Sequence, residues 1–274
     1  MILIAGDTLD ISTITNQYSE NSIERQLLDK MAASTEQYEY DSLNILMFEL
    51  RLRKEIIKYA TELNNSNLFF ADFDKSRCNP LYWQRTDNGG FHLKTEAKPS
   101  AAINDIFNNG SEYATECATA IMIVYYKALL SVFHEDAFNK LFPSIYLMDW
   151  DVTEPLLKEV VTPRKVKDML IGDRGYFFNP DVDPAFPEWQ GENVFVLPDS
   201  MYYGHGIGIA TSEDIINALN AKRKKNATQS AYLLDSVGRP NFKELYNAYL
   251  TSTTQIAPLV WKPFPTTIFN SLCY

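Results

Sequence analysis

From Ala118 to Phe133 the chain carries, besides two tyrosines, only Thr119, Lys127 and Ser131 as polar side chains. A helix this apolar must be sheathed on nearly all sides, so the rest of the chain has to supply layers around it. It is too short to be one of the ~20-residue runs that cross a bilayer. At its head stands Tyr113-Ala-Thr-Glu-Cys117, a single cysteine with a glutamate just before it. If Thr115 is the N-cap, Cys117 lies in the first turn, where free backbone N–H groups and the positive dipole end favour an anion. That matters because the thiolate is the nucleophile: at a pKa of ~8.5 only about 3% is ionised at pH 7, and a pKa of ~6 raises that roughly thirtyfold, about 2 kcal/mol. The competing reading is a small buried apolar residue.

The chain is able to build such layers. Its 274 residues favour one elaborated core, and 46% hydrophobic with 13% aromatic residues makes burial easy. A net charge of −10 argues against nucleic acid and anionic membrane as partners. The start Met1-Ile-Leu-Ile-Ala5 lacks a basic flank and is too short for a signal-peptide core, so retention in the cytosol of the producing cell is expected. Cys78, Cys117 and Cys273 have no disulfide framework or zinc spacing; free thiols, no metal and no cofactor are the expectation.

Along the chain, segments 20–33 and 42–63 read as amphipathic helices, the second capped by Asp41 or Ser42. Leu81–Arg85 and Phe91–Lys94 flank Asp87-Asn-Gly-Gly90 as a hairpin, and a short helix runs from Pro99 to Gly110. Beyond the cysteine helix, Ile145–Trp150 reads as a strand, Glu154–Asp168 as a polar loop insertion, and Gly172–Phe178 as another strand. A helix from Ser212 to the basic cluster Lys222–Lys225, a strand over Gln229–Val237 and a helix over Asn241–Leu250 follow. Residues 251–274, with three prolines and no clear period, read as a tail packed on or near a 1–250 domain. Helices first and mostly antiparallel strands after make the class α+β.

Two further residues join the cysteine. Glu192 opens one strand of a hairpin and His205 lies in the other. With a two-residue turn at Pro198-Asp199 they fall directly opposite and share a face, and Gly204, Gly206 and Gly208 share the other. Each also has an ordinary reading, as a solvated strand-end carboxylate and a structural histidine. Cys78 and Cys273, with no acid or histidine placed beside them, read as structural, and His92 and His134 as surface or hairpin residues.

The order and spacing of Thr115-Glu-Cys-Ala-Thr-Ala120, Gly172-Asp173, Tyr176-Phe with Asn179-Pro180, Trp189-Gln-Gly-Glu-Asn193 and Gly204-His-Gly-Ile-Gly208 resemble the spore-coat transglutaminases of Bacillus-type spore formers. The resemblance runs to about Leu250 and departs at 154–168 and in the tail. It implies a compact papain-like fold of the NlpC type, independence of calcium, and γ-glutamyl transfer between protein Gln and Lys, with spore-coat proteins as partners and the mother-cell cytoplasm, then the coat, as location. It also implies Cys117 as nucleophile, Glu192 and His205 as its partners and Glu116 as an auxiliary carboxylate.

The residue types then set the chemistry. Thiolate attack on a glutamine carboxamide releases ammonia and leaves a thioester. The acceptor lysine is neutral in only about one molecule in two thousand at pH 7, a handicap of roughly 4.6 kcal/mol, so a carboxylate base is needed and Glu192 is the choice. Glu116 either attracts the ammonium or is only a helix-end charge. Trp150 and Trp189, with Asp149 beside the first, are candidate walls that keep water from the thioester, or ordinary aromatic core. A cysteine amidase or peptidase of the same fold, or a coat protein without activity, are the competing functions.

Overall fold

The cysteine helix spans Cys117–Val132, and Ala118 through Tyr126 are all buried. The computed structural model describes residues 1–255 and shows what sheathes it. On one side lies the long helix Leu43–Asn64, on the other a five-stranded antiparallel sheet. The sheet order is Gly208–Thr211, Met201–Gly204, Gly191–Val196, Arg174–Phe178, Tyr232–Leu233. Its two faces bury different cores. Phe195 and Tyr203 join the large core around the cysteine helix, while Phe177 and Val194 pack beneath the helix Ser212–Asn220. A single compact α+β domain results, as expected.

The long helix and the sheet are locked by a buried ionic cluster. Arg53 bonds Glu49 at 2.7 Å, Asp173 at 2.9 Å and the Ile171 carbonyl at 2.8 Å. Arg239 adds two contacts to Asp173, both at 2.6 Å, and Tyr40 donates to Glu49 at 2.9 Å. Burial alone would raise the pKa of Asp173, but Arg53 and Arg239 outweigh it and hold the carboxyl below its usual value. Gly172, at φ +83°, makes the left-handed turn that feeds Asp173 into the strand.

Several expected elements differ in detail. The 154–168 segment is not a plain loop: Pro155–Leu157 and Lys158–Val161 form helical turns, and Arg164–Lys165 pairs with Ser236–Val237. Leu157 and Val160 anchor it because they are fully buried. The strand expected over Gln229–Val237 is correspondingly split between two sheets, and only Tyr146–Leu147 pairs in the segment Ile145–Trp150. The helix before the basic cluster ends at Asn220 and is capped by Thr211 with Asp214 in a capping box. The last helix, Phe242–Gln255, runs beyond Leu250; the remainder of the expected tail, with Cys273, lies outside the described residues.

The hairpin register is shifted by one residue from the expected one. Asp199 and Ser200 both take left-handed φ, 56° and 59°, so the loop absorbs Pro198–Ser200 and Leu197 N–H closes it onto the Met201 carbonyl at 2.8 Å. Val194 is thereby set opposite Gly204. Glu192 comes level with Gly206 rather than His205, and the glycines share its face. Asp173→Ala, which strips Arg239 of its carboxylate and leaves Arg53 with Glu49 alone, is expected to destabilise the protein by roughly 3–5 kcal/mol. Urea unfolding measures this.

Candidate active site

Thr115 is not the cap of the cysteine helix. It is drawn into a short parallel pairing, Phe69–Phe70 with Ala114–Thr115, and the chain stays extended through Glu116. Glu116 is the N-cap: its carboxylate accepts the backbone N–H groups of Ala118 at 2.5 Å and Thr119 at 2.8 Å. Cys117 is the first helical residue. The N–H groups expected to stabilise a thiolate are therefore taken by a carboxylate that brings its own negative charge.

The thiol is accordingly pushed up rather than down. Burial is the largest cause, followed by the charges of Glu192 and Glu116. The opposing influence comes from Asn193, through its backbone and through a side-chain amide 3.3 Å from Sγ. Glu192 is itself only 4% exposed, and burial, with Glu116 nearby, pushes its pKa from 4.5 to about 8 against the pull of the Gly206 and His205 backbone. Its Oε1 accepts the Gly206 N–H at 3.2 Å. The carboxyl lies across the glycines so closely that a Cβ on Gly204 would stand 2.7 Å from Glu192 Cγ.

His205 is near this group but engaged elsewhere. Its Nε2 is 3.1 Å from the Phe69 carbonyl, which can only accept, so Nε2 carries the proton. Its Nδ1 then accepts from the Tyr203 hydroxyl at 3.4 Å. Burial drives its pKa down to about 4, despite the Phe69 and Thr115 carbonyls. The ring is neutral at physiological pH and tied to the strand that carries Phe69–Phe70.

A cavity of about 800 Å³ opens onto Cys117. Its lining includes Glu116, Asp149, Trp150, Arg174, Tyr176 and Asn193, with Phe70 at one side and Val161 and Pro163 of the 154–168 segment at another. Glu192 and His205 are not among its lining residues. Asp149 adopts φ 46° and donates its backbone N–H to Thr119 Oγ1 at 3.0 Å, which pins the loop to the cysteine helix. Burial raises its pKa, and its charge in turn adds to the burial that raises Glu116. Trp150 lines the cavity, whereas Trp189 packs against the smaller core with Lys222 Nζ 5.2 Å from its ring. His92 and His134 are exposed. Sequence reasoning missed Arg174, Tyr176 and Asn193 as lining residues. Strand alternation about Glu192 would have pointed Asn193 at the opposite face, towards the cysteine helix. Among the described residues no cluster of three potential metal ligands occurs.

A cysteine at a helix head, acted on by one buried and one half-buried carboxylate beneath an aromatic-walled cavity, defines a thiol acyl-transfer site. The family model for protein-glutamine gamma-glutamyltransferase matches residues 1–249. Proteins of that description from Bacillus cereus are 42% identical over 92% of this chain and 91% of theirs, and from Bacillus anthracis 44% identical over 87% and 86%. A transglutaminase from Geobacillus stearothermophilus, solved without its C-terminal extension, superposes with a TM-score of 0.72 at 46% identity, covering 76% of this chain and 98% of its own. The chain belongs to the protein-glutamine gamma-glutamyltransferase family.

Two outcomes are expected from this geometry. Gly204→Ala displaces the Glu192 carboxyl and should lower turnover at least tenfold while the fold survives, as amine incorporation and thermal melting would show. The folded state holds the Glu192 proton up to about pH 8, whereas the unfolded chain loses it near 4.5. Its contribution to stability is therefore full below pH 4.5 and is lost as pH rises through 8. Glu192→Gln should then gain a few kcal/mol over wild type from about pH 4 to about pH 9, and a Tm difference that stays constant with pH would contradict this.

Proposed function

We propose that this transglutaminase joins protein glutamine to protein lysine through a thioester on Cys117, with Glu192 as the principal base and Glu116 as a second carboxylate. The supporting observation is the company Cys117 keeps: the charges acting on it are those of buried Glu192 and half-buried Glu116, while both ring nitrogens of neutral His205 are bonded to Phe69 and Tyr203. Ionised Glu192 takes the thiol proton as Sγ attacks the glutamine Cδ. The same proton passes to nitrogen as the C–N bond breaks, and ammonia leaves. A lysine Nζ then attacks the thioester, gives its proton to Glu192 and expels the thiolate, closing the isopeptide bond.

Entry of the lysine is helped twice. Asp149 and Glu116 line the cavity and attract an ammonium, while Trp150, Tyr176 and Phe70 desolvate its aliphatic stem and keep water from the thioester. His205 acts as a positioning residue that holds the Phe69 strand beside the cysteine. The substrates we assign are spore-coat proteins, cross-linked after deposition from the mother cell; this assignment rests on the motif resemblance to spore-coat transglutaminases.

Incubation with a glutamine-bearing protein and a fluorescent primary amine should incorporate amine and release ammonia in equal amounts, and Cys117→Ala should abolish both. Glu192→Gln should lose about 10²–10⁴-fold and His205→Asn less than tenfold. Ammonia release without amine incorporation would sink the transferase reading in favour of an amidase, and a greater loss at His205 than at Glu192 would overturn the choice of base.

A further inference from the structure

We infer that Asn193 is a catalytic residue of this site, its side-chain amide bonding the Cys117 sulfur as it becomes charged, and that Arg174 is the positioning residue that aims it. The inference rests on the transglutaminase reading of Cys117 and adds two residues to it.

Asn193 stands opposite Tyr176 in the sheet, on the face turned to the cysteine helix, and is 5% exposed. Its Nδ2 is 3.3 Å from Cys117 Sγ and its Oδ1 3.5 Å from Arg174 Nη1. A guanidinium can only donate, so the amide oxygen must face Arg174 and the amide N–H must face the sulfur. Flipping the amide would set two donors against each other.

Arg174 is clamped for this role. Its Nε reaches the Val160 carbonyl at 3.3 Å, and its guanidinium carbon lies 4.9 Å from the centre of the Trp150 ring. A Cβ on Gly238 would come within 2.6 Å of its Nε, so the backbone there closes directly on the side chain. Among the described residues it forms no ion pair with a carboxylate, although it is only 6% exposed. A buried guanidinium that spends a donor on a neutral amide polarises that amide towards the group it faces.

The sulfur needs such a donor because Glu116 occupies the helix-end N–H groups of Ala118 and Thr119. As Cys117 passes its proton to Glu192, the N–H···S contact becomes charge-assisted and offsets part of the repulsion from the Glu116 carboxylate.

The test is the rate at which iodoacetamide alkylates Cys117 across the pH range, followed on the Cys117 peptide by mass spectrometry, for wild type, Asn193→Ala, Asn193→Asp and Arg174→Lys. Thermal melts run in parallel. Loss of one hydrogen bond to a charged group should move the midpoint of Asn193→Ala up by about one pH unit and slow alkylation at pH 7 roughly tenfold. Asn193→Asp keeps the shape but replaces the donor with a carboxylate, so it should move further. Arg174→Lys should shift the same way by less, lowering kcat for amine incorporation more than it raises KM. Wild-type pH profiles in folded Asn193→Ala and Asn193→Asp would overturn the inference. If Asn193→Ala does not fold, the isosteric Asp variant decides alone. Alkylation uses neither glutamine nor amine, so a wild type that only hydrolyses would defeat the proposed function while the profiles still judge Asn193.

Discussion

The carboxylate of Glu116 at the head of the cysteine helix organises everything around it. By accepting the first free N–H groups it fixes where the helix starts, and so puts Cys117 at the first helical position against the sheet. It also removes the donors that a helix end ordinarily offers an anion and adds a negative charge within reach of the thiol. A cysteine placed this way is not ready to ionise by itself. In the proposed reaction a base takes its proton and returns it to the leaving group, and burial gives Glu192 a pKa suited to both.

The fold keeps two kinds of buried charge, and they are treated in opposite ways. Around Asp173 every carboxylate oxygen meets a guanidinium or an N–H, and the cluster is paired and structural. Around Cys117 the carboxylates Glu116 and Glu192 meet backbone N–H groups and, among the described residues, form no ion pair, and both pKa values rise. The paired cluster holds the long helix and the sheet in the register that the unpaired one requires. Arg174, next in sequence to Asp173, links the two, because the strand that begins at the ionic cluster ends its turn facing the cavity.

The helical layers and the place of Cys117 at a helix head were legible in sequence because they rest on long, one-directional signals: an uninterrupted apolar run and the periodicity of 42–63. The class α+β followed from element order. What escaped depends on tertiary choices. Thr115 was misread as the cap because its pairing with Phe70 lies 45 residues away in the chain. The hairpin register turned on two left-handed residues, Asp199 and Ser200, that carry no glycine to announce them. The direction of the thiol shift depends on burial and on the charges of Glu116 and Glu192, and no local pattern holds that information. The packing of Trp189 on the smaller core, beside Lys222, likewise depends on the tertiary path and not on a local pattern.

The central claim is that a carboxylate, not the histidine, moves the proton at Cys117. Its most direct test is the pH dependence of the acylation step alone, read as the single-turnover burst of ammonia from a glutamine donor without amine. Since Glu192 must be ionised to accept the thiol proton, the burst rate should rise with pH through a midpoint of about 8, and Glu192→Gln should abolish that rise while His205→Asn leaves it in place. A rise centred near the ordinary imidazole pKa of about 6.5 and lost in His205→Asn would contradict the account.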